Sequence, residues 1–240
     1  MAENYSFLDV NGKEILILGD LQIPFHDEIA IRTAINSGQY DTIILAGDII
    51  DCHSISYFER DPRCRDFNVE RLQLIQFYKY LRFHFPKQKI YFLEGNHEYR
   101  LTRWLWDHPE MYNIDELKAE SMLRCVDFDI EYVSGRTLKL GDLNVVHGHE
   151  IRGGGQQPAK TFVQKCMENI VTFHFHKTQE WIETRLDGSM IGGWSVGCLC
   201  GLRPRWLPVN KWNHGFAHVK LLDNGKFEVY NKKIYNGAVY

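Results

Sequence analysis

Short apolar runs that stop abruptly at polar residues organise this sequence. Ile15-Leu16-Ile17-Leu18 runs into Gly19-Asp20, Ile43-Ile44-Leu45-Ala46 into Gly47-Asp48, and Ile90-Tyr91-Phe92-Leu93 into Glu94-Gly95-Asn96-His97. Leu143-Asn144-Val145-Val146 stops at His147, and Ile170-Val171-Thr172-Phe173 at His174. Each reads as a buried strand followed by a polar residue with ligand chemistry. Between them the spacing predicts helices over 27–36, 69–85 and 158–169, the second with an apolar face of Leu72, Ile75, Tyr78 and Leu81. Strands alternating with helices imply sheets with helices packed outside. Two hairpins interrupt the alternation: 137–140 and 143–146 flank Gly141-Asp142, and 217–222 and 226–230 flank Asp223-Asn224-Gly225. The sheets are therefore expected to be mixed, in an α/β (α+β) fold. With no internal repeat, low-complexity tract or Pro/Ser-rich linker, a single domain over 1–240 is expected. The longest irregular segments, 52–68 and 99–126, follow strand-end motifs, where loops tend to carry substrate contacts.

Composition narrows the class. The chain has 240 residues, 44% of them hydrophobic, enough for a sizeable core. Its 28 Lys+Arg against 31 Asp+Glu leave a net charge of -3, which disfavours a protein that coats nucleic acid without regard to sequence. No apolar run reaches a membrane span, and Met1 to Tyr5 lack the layout of a secretion signal, so a soluble, cytoplasmic protein is expected. The six cysteines, Cys52, Cys64, Cys125, Cys166, Cys198 and Cys200, include no Cys-x-x-Cys spacing; reduced and mostly buried thiols are expected. The pattern carries no signal for oligomeric state.

The strand ends carry the candidate chemistry. Ligands of open α/β sheets settle at the carboxyl ends of strands. Five such ends deliver Asp20, Asp48, Asn96, His147 and the His174-x-His176 pair. These are oxygen and imidazole donors, suited to Mn, Fe, Mg or octahedral Zn rather than a tetrahedral structural zinc. They exceed the needs of one ion, so two divalent ions with a bridging carboxylate are the natural solution.

Gly19-Asp20, Gly47-Asp48-Ile49-Ile50-Asp51, Gly95-Asn96-His97-Glu98, Val146-His147-Gly148-His149 and His174-Phe175-His176 resemble, in order and spacing, the signature blocks of the calcineurin-like metallophosphoesterases, small bacterial or phage-type members above all. The resemblance implies a four-layer β-sandwich flanked by helices. It implies a first ion on Asp20, the bridging Asp48 and His176, and a second on Asp48, Asn96, His147 and His174, with Mn favoured and Fe, Zn, Mg or Ni as alternatives. It also implies phosphoester hydrolysis by attack of a metal-bound hydroxide, with His97 and Asp51 as the acid pair. Two positions depart from the pattern. Gln22 stands where the family usually has His, still able to coordinate through its amide oxygen, with His26 as the nearest replacement; Phe173 stands where Gly usually precedes the last His pair. His149 is expected to support the site rather than ligate.

Arg100, Arg152 and Arg203 are candidates for donating a bidentate pair to the phosphate. Tyr57, Phe58, Trp104 and Trp106 fall in the two strand-end loops, where a nucleobase could stack. The expected substrate is a small phosphate ester, a nucleotide in preference, with no membrane partner and long nucleic acid disfavoured. The alternatives are a nuclease of the same family, a Ser/Thr protein phosphatase, and a non-enzymatic scaffold with a degraded first ion site, the last suggested only by Gln22.

Overall fold

The computed structural model describes residues 6–240 apart from 59, 62, 64, 65 and 154, so Cys64, Gly154 and parts of the 52–68 loop lie outside the described residues. The strands in order are β1 (Ser6–Asp9), β2 (Glu14–Leu18), β3 (Thr42–Leu45), β4 (Lys89–Leu93), β5 (Ile130–Val133), β6 (Arg136–Leu140), β7 (Leu143–Val145), β8 (Asn169–Thr172), β9 (Gln179–Thr184), β10 (Met190–Ser195), β11 (His214–Leu221), β12 (Phe227–Tyr235) and β13 (Ala238–Val239). The helices are α1 (Glu28–Ile35), α2 (Phe67–His84), α3 (Tyr99–Asp107), α4 (Ala119–Met122) and α5 (Pro158–Cys166). Seven strands make one sheet in the order β13-β12-β11-β2-β3-β4-β5, and six make the other, β1-β6-β7-β8-β10-β9. Strands β2 to β5 are parallel, whereas β11 pairs antiparallel with both β2 and β12, and both expected hairpins form. Mixed sheets of the α/β class are thus observed.

Period-2 alternation sorts each buried strand between two cores. Leu16 and Leu18 of β2, Ile43 and Leu45 of β3, and Ile90 and Phe92 of β4 face Ala30, Ile31 and Ala34 of α1 and Leu74, Tyr78 and Leu81 of α2. Their neighbours Ile15, Ile17, Ile44, Tyr91 and Leu93 face the other sheet through Leu138, Leu140, Leu143, Val145, Val171 and Phe173. On the far side of that second sheet, α5 packs Phe162 and Val163 against Ile170 and Ile191. The layers therefore run helix, sheet, sheet, helix, and the continuous apolar runs arise because β2, β3 and β4 are covered on both faces.

Helix boundaries follow their caps. Asp27 accepts from the Ala30 N–H at 2.9 Å and starts α1. Asp66 accepts from the Asn68 N–H at 2.9 Å, which starts α2 two residues before the hydrophobic spacing suggests. Its buried face is Glu70, Leu74, Phe77, Tyr78 and Leu81, while Leu72 is exposed, a rotation of the expected stripe. Helix α5 stops at Cys166 rather than continuing to Asn169, because Met167 turns left-handed at φ 56° and the chain enters β8. The 99–126 segment is not irregular throughout: Leu101 and Leu105, one helical turn apart, bury the inner face of α3.

The non-family Phe173 has a clear role in this packing. It is fully buried, and a Cβ added at Gly19 would come within 2.4 Å of its ring, so the glycine beside Asp20 admits the aromatic side chain between the two sheets. Phe173→Ala is expected to destabilise the fold by about 3–5 kcal/mol through the cavity it leaves, measured by urea denaturation.

Candidate metal centre

The parallel strands β2, β3 and β4 end side by side, and β7 and β8 of the second sheet end against them. Their last residues are locked together: Ala46 N–H donates to Leu18 O at 2.6 Å, Asp20 N–H to Gly47 O at 3.1 Å, and Phe173 N–H to His147 O at 2.7 Å. The turns that follow need unusual backbone. Asp20, Gln22, Asp48, His174 and His176 all take left-handed φ, between 50° and 68°. Each such residue costs about 1–3 kcal/mol and persists only where the surroundings over-determine it. Gly47, at φ +85°, is obligatory for a second reason, since a Cβ there would lie 2.6 Å from His147 Nδ1.

These turns aim the side chains inward. Asp20 and Asp48 are almost completely removed from solvent. Asp48 Oδ1 accepts from the His97 N–H at 2.9 Å, and Oδ2 lies 3.3 Å from His147 Nε2 and 3.5 Å from His97 Nε2. Asp20 Oδ2 accepts from the His174 N–H at 2.9 Å. Its other oxygen, Oδ1, is buried without a well-formed hydrogen bond; His176 Nε2 stands 3.4 Å away and His147 Nε2 4.0 Å. Asn96 Oδ1 is 3.2 Å from His147 Nε2. His147 Nδ1 donates to Ala46 O at 2.8 Å, which turns the lone pair of Nε2 toward the carboxylates. Asp48, His147 and His174 bring ligand atoms within 4.8 Å of one another. The seven residues expected to hold ions thus converge, Gln22 included, whose amide nitrogen is 3.4 Å from His176 Nε2; a half-turn of the amide presents its oxygen there. His26 is instead bridged to Cys200 through its backbone.

The electrostatics of the cluster call for cations. Burial disfavours a charged His147, but Asp48 and then Asp20 outweigh it and hold the imidazole up to about 10. His176 is likewise driven well upward, burial being overcome chiefly by Asp20. Burial and the neighbouring His147 push His174 down to about 4. Two buried carboxylates that draw protons onto adjacent imidazoles, one with an orphaned oxygen, fit a site for divalent cations with oxygen and nitrogen donors.

Beside the cluster, His97 Nδ1 lies 2.7 Å from Asp51 Oδ1. Burial favours the neutral acid of Asp51, but hydrogen bonds from His53 and His97 and the nearby charges hold it down to about 2. His53 Nδ1 is 3.4 Å from Asp51 Oδ2, and Arg100 Nη1 donates to Asp51 O at 2.7 Å. Arg100 is therefore already engaged in fixing Asp51. Arg152 and Arg203 stand exposed on their loops, outside the buried cluster. His149 Nδ1 stands 3.6 Å from Glu150, and its ring lies 5.4 Å from that of His147.

Two carboxylates escaped the sequence reading. Glu98 is fully buried and accepts four backbone N–H groups, from Asp48 at 2.9 Å, Ile49 at 2.8 Å, Ile50 at 3.1 Å and Gly95 at 2.9 Å. It ties the Asp48 turn to the Asn96 turn. Burial and the Asp48 charge push its carboxyl up to about 7, against the pull of these donors. Four donors on two oxygens leave no acceptor position for a proton, so the geometry is that of a carboxylate. Glu150, exposed at its own turn, closes the His147 turn locally, accepting from His147 N–H at 3.2 Å and Gly148 N–H at 2.6 Å. Glu98 belongs to the Gly95-Asn96-His97-Glu98 block, but three of its four donors come from a turn about fifty residues earlier, which spacing alone does not reveal. Glu98→Ala is expected to lower divalent-ion affinity by about 10–100-fold, as loss of an outer support does, measured by isothermal titration calorimetry with manganese. Gln22→His is expected to tighten or change metal preference in the same titration.

A family model for calcineurin-like phosphoesterases matches residues 13–195. No curated protein matches the sequence. Among solved structures, a metallophosphoesterase from Sphaerobacter thermophilus is similar at 15% identity, covering 94% of this chain and 89% of that one, with a TM-score of 0.47. The phosphoesterase Yfce from E. coli is similar at 10% identity, covering 91% and 98%, with a TM-score of 0.43. Chaetomium thermophilum Vps29, solved with a cyclic peptide, gives 10% identity, 93% and 96% coverage and a TM-score of 0.35. With the family match spanning most of its length and the block residues gathered at one sheet edge, the chain belongs to the calcineurin-like phosphoesterase family and is a metal-dependent phosphoester hydrolase.

Proposed function

We propose that the chain hydrolyses small phosphate esters, nucleotides foremost, at a two-ion centre. The observation that carries this reading is the convergence of Asp20, Asp48, Asn96, His147, His174 and His176 beside the His97–Asp51 pair. Asp20, Asp48 and His176, with Gln22, would hold one ion; Asp48, Asn96, His147 and His174 the other. When bound, the ions supply Lewis acidity, polarising phosphoryl oxygens and lowering the pKa of water. Two divalent ions against two carboxylates leave a net positive centre that draws in an anionic phosphate.

The protein's own groups account for the rest. Asp51 holds His97 through Nδ1 and leaves Nε2 facing the centre, 3.5 Å from Asp48 Oδ2. There His97 holds a proton for the departing oxygen of the ester. His53 and Arg100 fix Asp51 from its other sides, so the imidazole is aimed before substrate arrives.

Nucleotides are favoured by the surface one residue beyond His53. A cavity of about 520 Å³ opens there, bordered by Tyr57, Phe58, Arg60, Trp104 and Asp107. Tyr57 and Phe58 are exposed at 59% and 78%, which gives a flat base an aromatic wall in the cavity that Ser54, next to the Asp51 partner His53, also lines. Tyr57 is held by its hydroxyl, which donates to Asp107 at 2.6 Å, and by the Arg103 guanidinium 4.3 Å from its ring centre.

The test is a panel of a nucleoside 5'-monophosphate, a 2',3'-cyclic nucleotide, a bis-aryl diester and a phosphopeptide, run with manganese and then magnesium. Turnover of a nucleotide above the others supports the reading; preference for the phosphopeptide overturns the substrate assignment. Asp48→Asn is expected to abolish turnover with an unchanged circular dichroism spectrum. His97→Gln should slow alkyl phosphates by about 10²–10⁴-fold and activated aryl phosphates far less, read from kcat. Phe58→Ala should raise the nucleotide KM roughly tenfold, the worth of one stacking contact, and leave kcat on an aryl phosphate unchanged.

A further inference from the structure

Behind the first ion position lies a second donor set of different chemistry. Strand β10 ends at Ser195, and the chain then passes through Cys198 and Cys200, both buried and both free thiols. Together with His176 they place ligand atoms within 4.8 Å of one another. The His176 ring divides its two nitrogens between the two donor sets. Nε2 faces Asp20 Oδ1 at 3.4 Å, and Nδ1 faces Cys200 Sγ at 3.7 Å. Trp212 packs on the ring with centroids 4.1 Å apart, which keeps it from swinging away.

We propose that Cys198, Cys200 and His176 Nδ1 form a binding site for a soft d¹⁰ cation, of which zinc is the physiological representative, and that its occupancy competes with a hard ion at Asp20. Three features support it. The donors are two sulfurs and an imidazole, the set that selects Zn²⁺ and its heavier congener over Mn²⁺ or Mg²⁺. The spacing is within reach of binding: Cys200 Sγ is 3.7 Å from Nδ1 and all three ligand atoms lie within 4.8 Å, against about 3.8 Å between two thiolates on one zinc for Zn–S bonds of about 2.3 Å. The charge also suits a buried site, because a divalent cation with two thiolates and a neutral imidazole is neutral overall. Binding sends the protons held on the two sulfurs and on Nδ1 to solvent and leaves a neutral ring with its one proton on Nε2.

Competition follows from that last proton. A hard ion held by Asp20 and His176 needs the lone pair of Nε2, with the proton on Nδ1 pointing at sulfur. A soft ion on Nδ1 reverses the tautomer and directs an N–H at Asp20 Oδ1. A neutral ring serves one ion at a time, so the soft site is inhibitory. The half-buried Gln22, 3.4 Å from His176 Nε2, marks the side from which the ring is reached.

Cadmium is the probe, titrated into the manganese-loaded full chain in a Cys64→Ser, Cys166→Ser background, which leaves only the buried Cys52 and Cys125 as thiols besides the proposed pair. The expected result is a thiolate-to-cadmium charge-transfer absorbance that saturates at one cadmium per chain, with release of one manganese. Cys198→Ala and Cys200→Ala should each abolish the band while retaining manganese. Where either variant fails to fold, cadmium-edge X-ray absorption of the parent decides, with two sulfur scatterers and one nitrogen expected. No band, a band that survives both substitutions, or only oxygen and nitrogen scatterers would overturn the site; a band with all manganese retained would overturn the competition. Because the band is independent of turnover, its loss is distinguishable from failure of the phosphoesterase reading, which the manganese content and the substrate panel report.

Discussion

Two carboxylates removed from water at one sheet edge, Asp20 and Asp48, set the terms for everything around them. Burying an uncompensated charge is among the most costly things a fold can do. Compensation here comes from a backbone N–H on one oxygen of each carboxylate and from imidazoles near the other, which still leaves Asp20 Oδ1 without a well-formed hydrogen bond. The same negative charge that raises His147 and His176 makes the cluster a receptor for divalent cations. Those cations in turn attract an anionic ester.

Holding this arrangement requires stiffness in the turns rather than in the strands. Glu98, buried, gathers four N–H groups from two turns distant in the chain and clasps them together, while the exposed Glu150 closes the His147 turn locally with two more. Five left-handed residues other than glycine at the centre are tolerated because these clasps, with Gly47 against His147 and Phe173 against Gly19, leave the backbone few alternatives. Each sheet contributes: Asp20, Asp48 and Asn96 come from one, His147, His174 and His176 from the other. The packing of the two sheets, through Ile17, Ile44, Val171 and Phe173, is what brings the two halves of the donor set together.

The departures from the family pattern fall into the same physical frame. Gln22 keeps a neutral donor beside His176, so the charge balance is the one a histidine would give. Phe173 replaces a small residue yet costs no space at the metal edge, because its ring points into the core against Gly19. Cys198 and Cys200 add what the pattern lacks, sulfur within reach of the ring that faces Asp20. One imidazole is thereby placed between a hard and a soft donor set.

Strand positions, the mixed class and the identity of the converging donors were legible in the linear pattern, because a four-residue apolar run ending in Gly-Asp or Asn-His records local constraints: burial on both faces, then a turn. Helix α1 was legible for the same reason, since Asp27 caps it within its own first turn. Helix α3, the rotated buried face of α2 and the early end of α5 were less so, being decided by which side the sheet covers and by one left-handed residue. The clasping role of Glu98, the engagement of Arg100 with Asp51, and the meeting of His176 with the two thiols belong to tertiary structure alone. Their partners lie up to fifty residues away, and a hydrogen bond between distant turns leaves no periodicity in the chain. The sequence by itself determined which groups the protein brings; only the stacking of two sheets decided which atoms of those groups face one another.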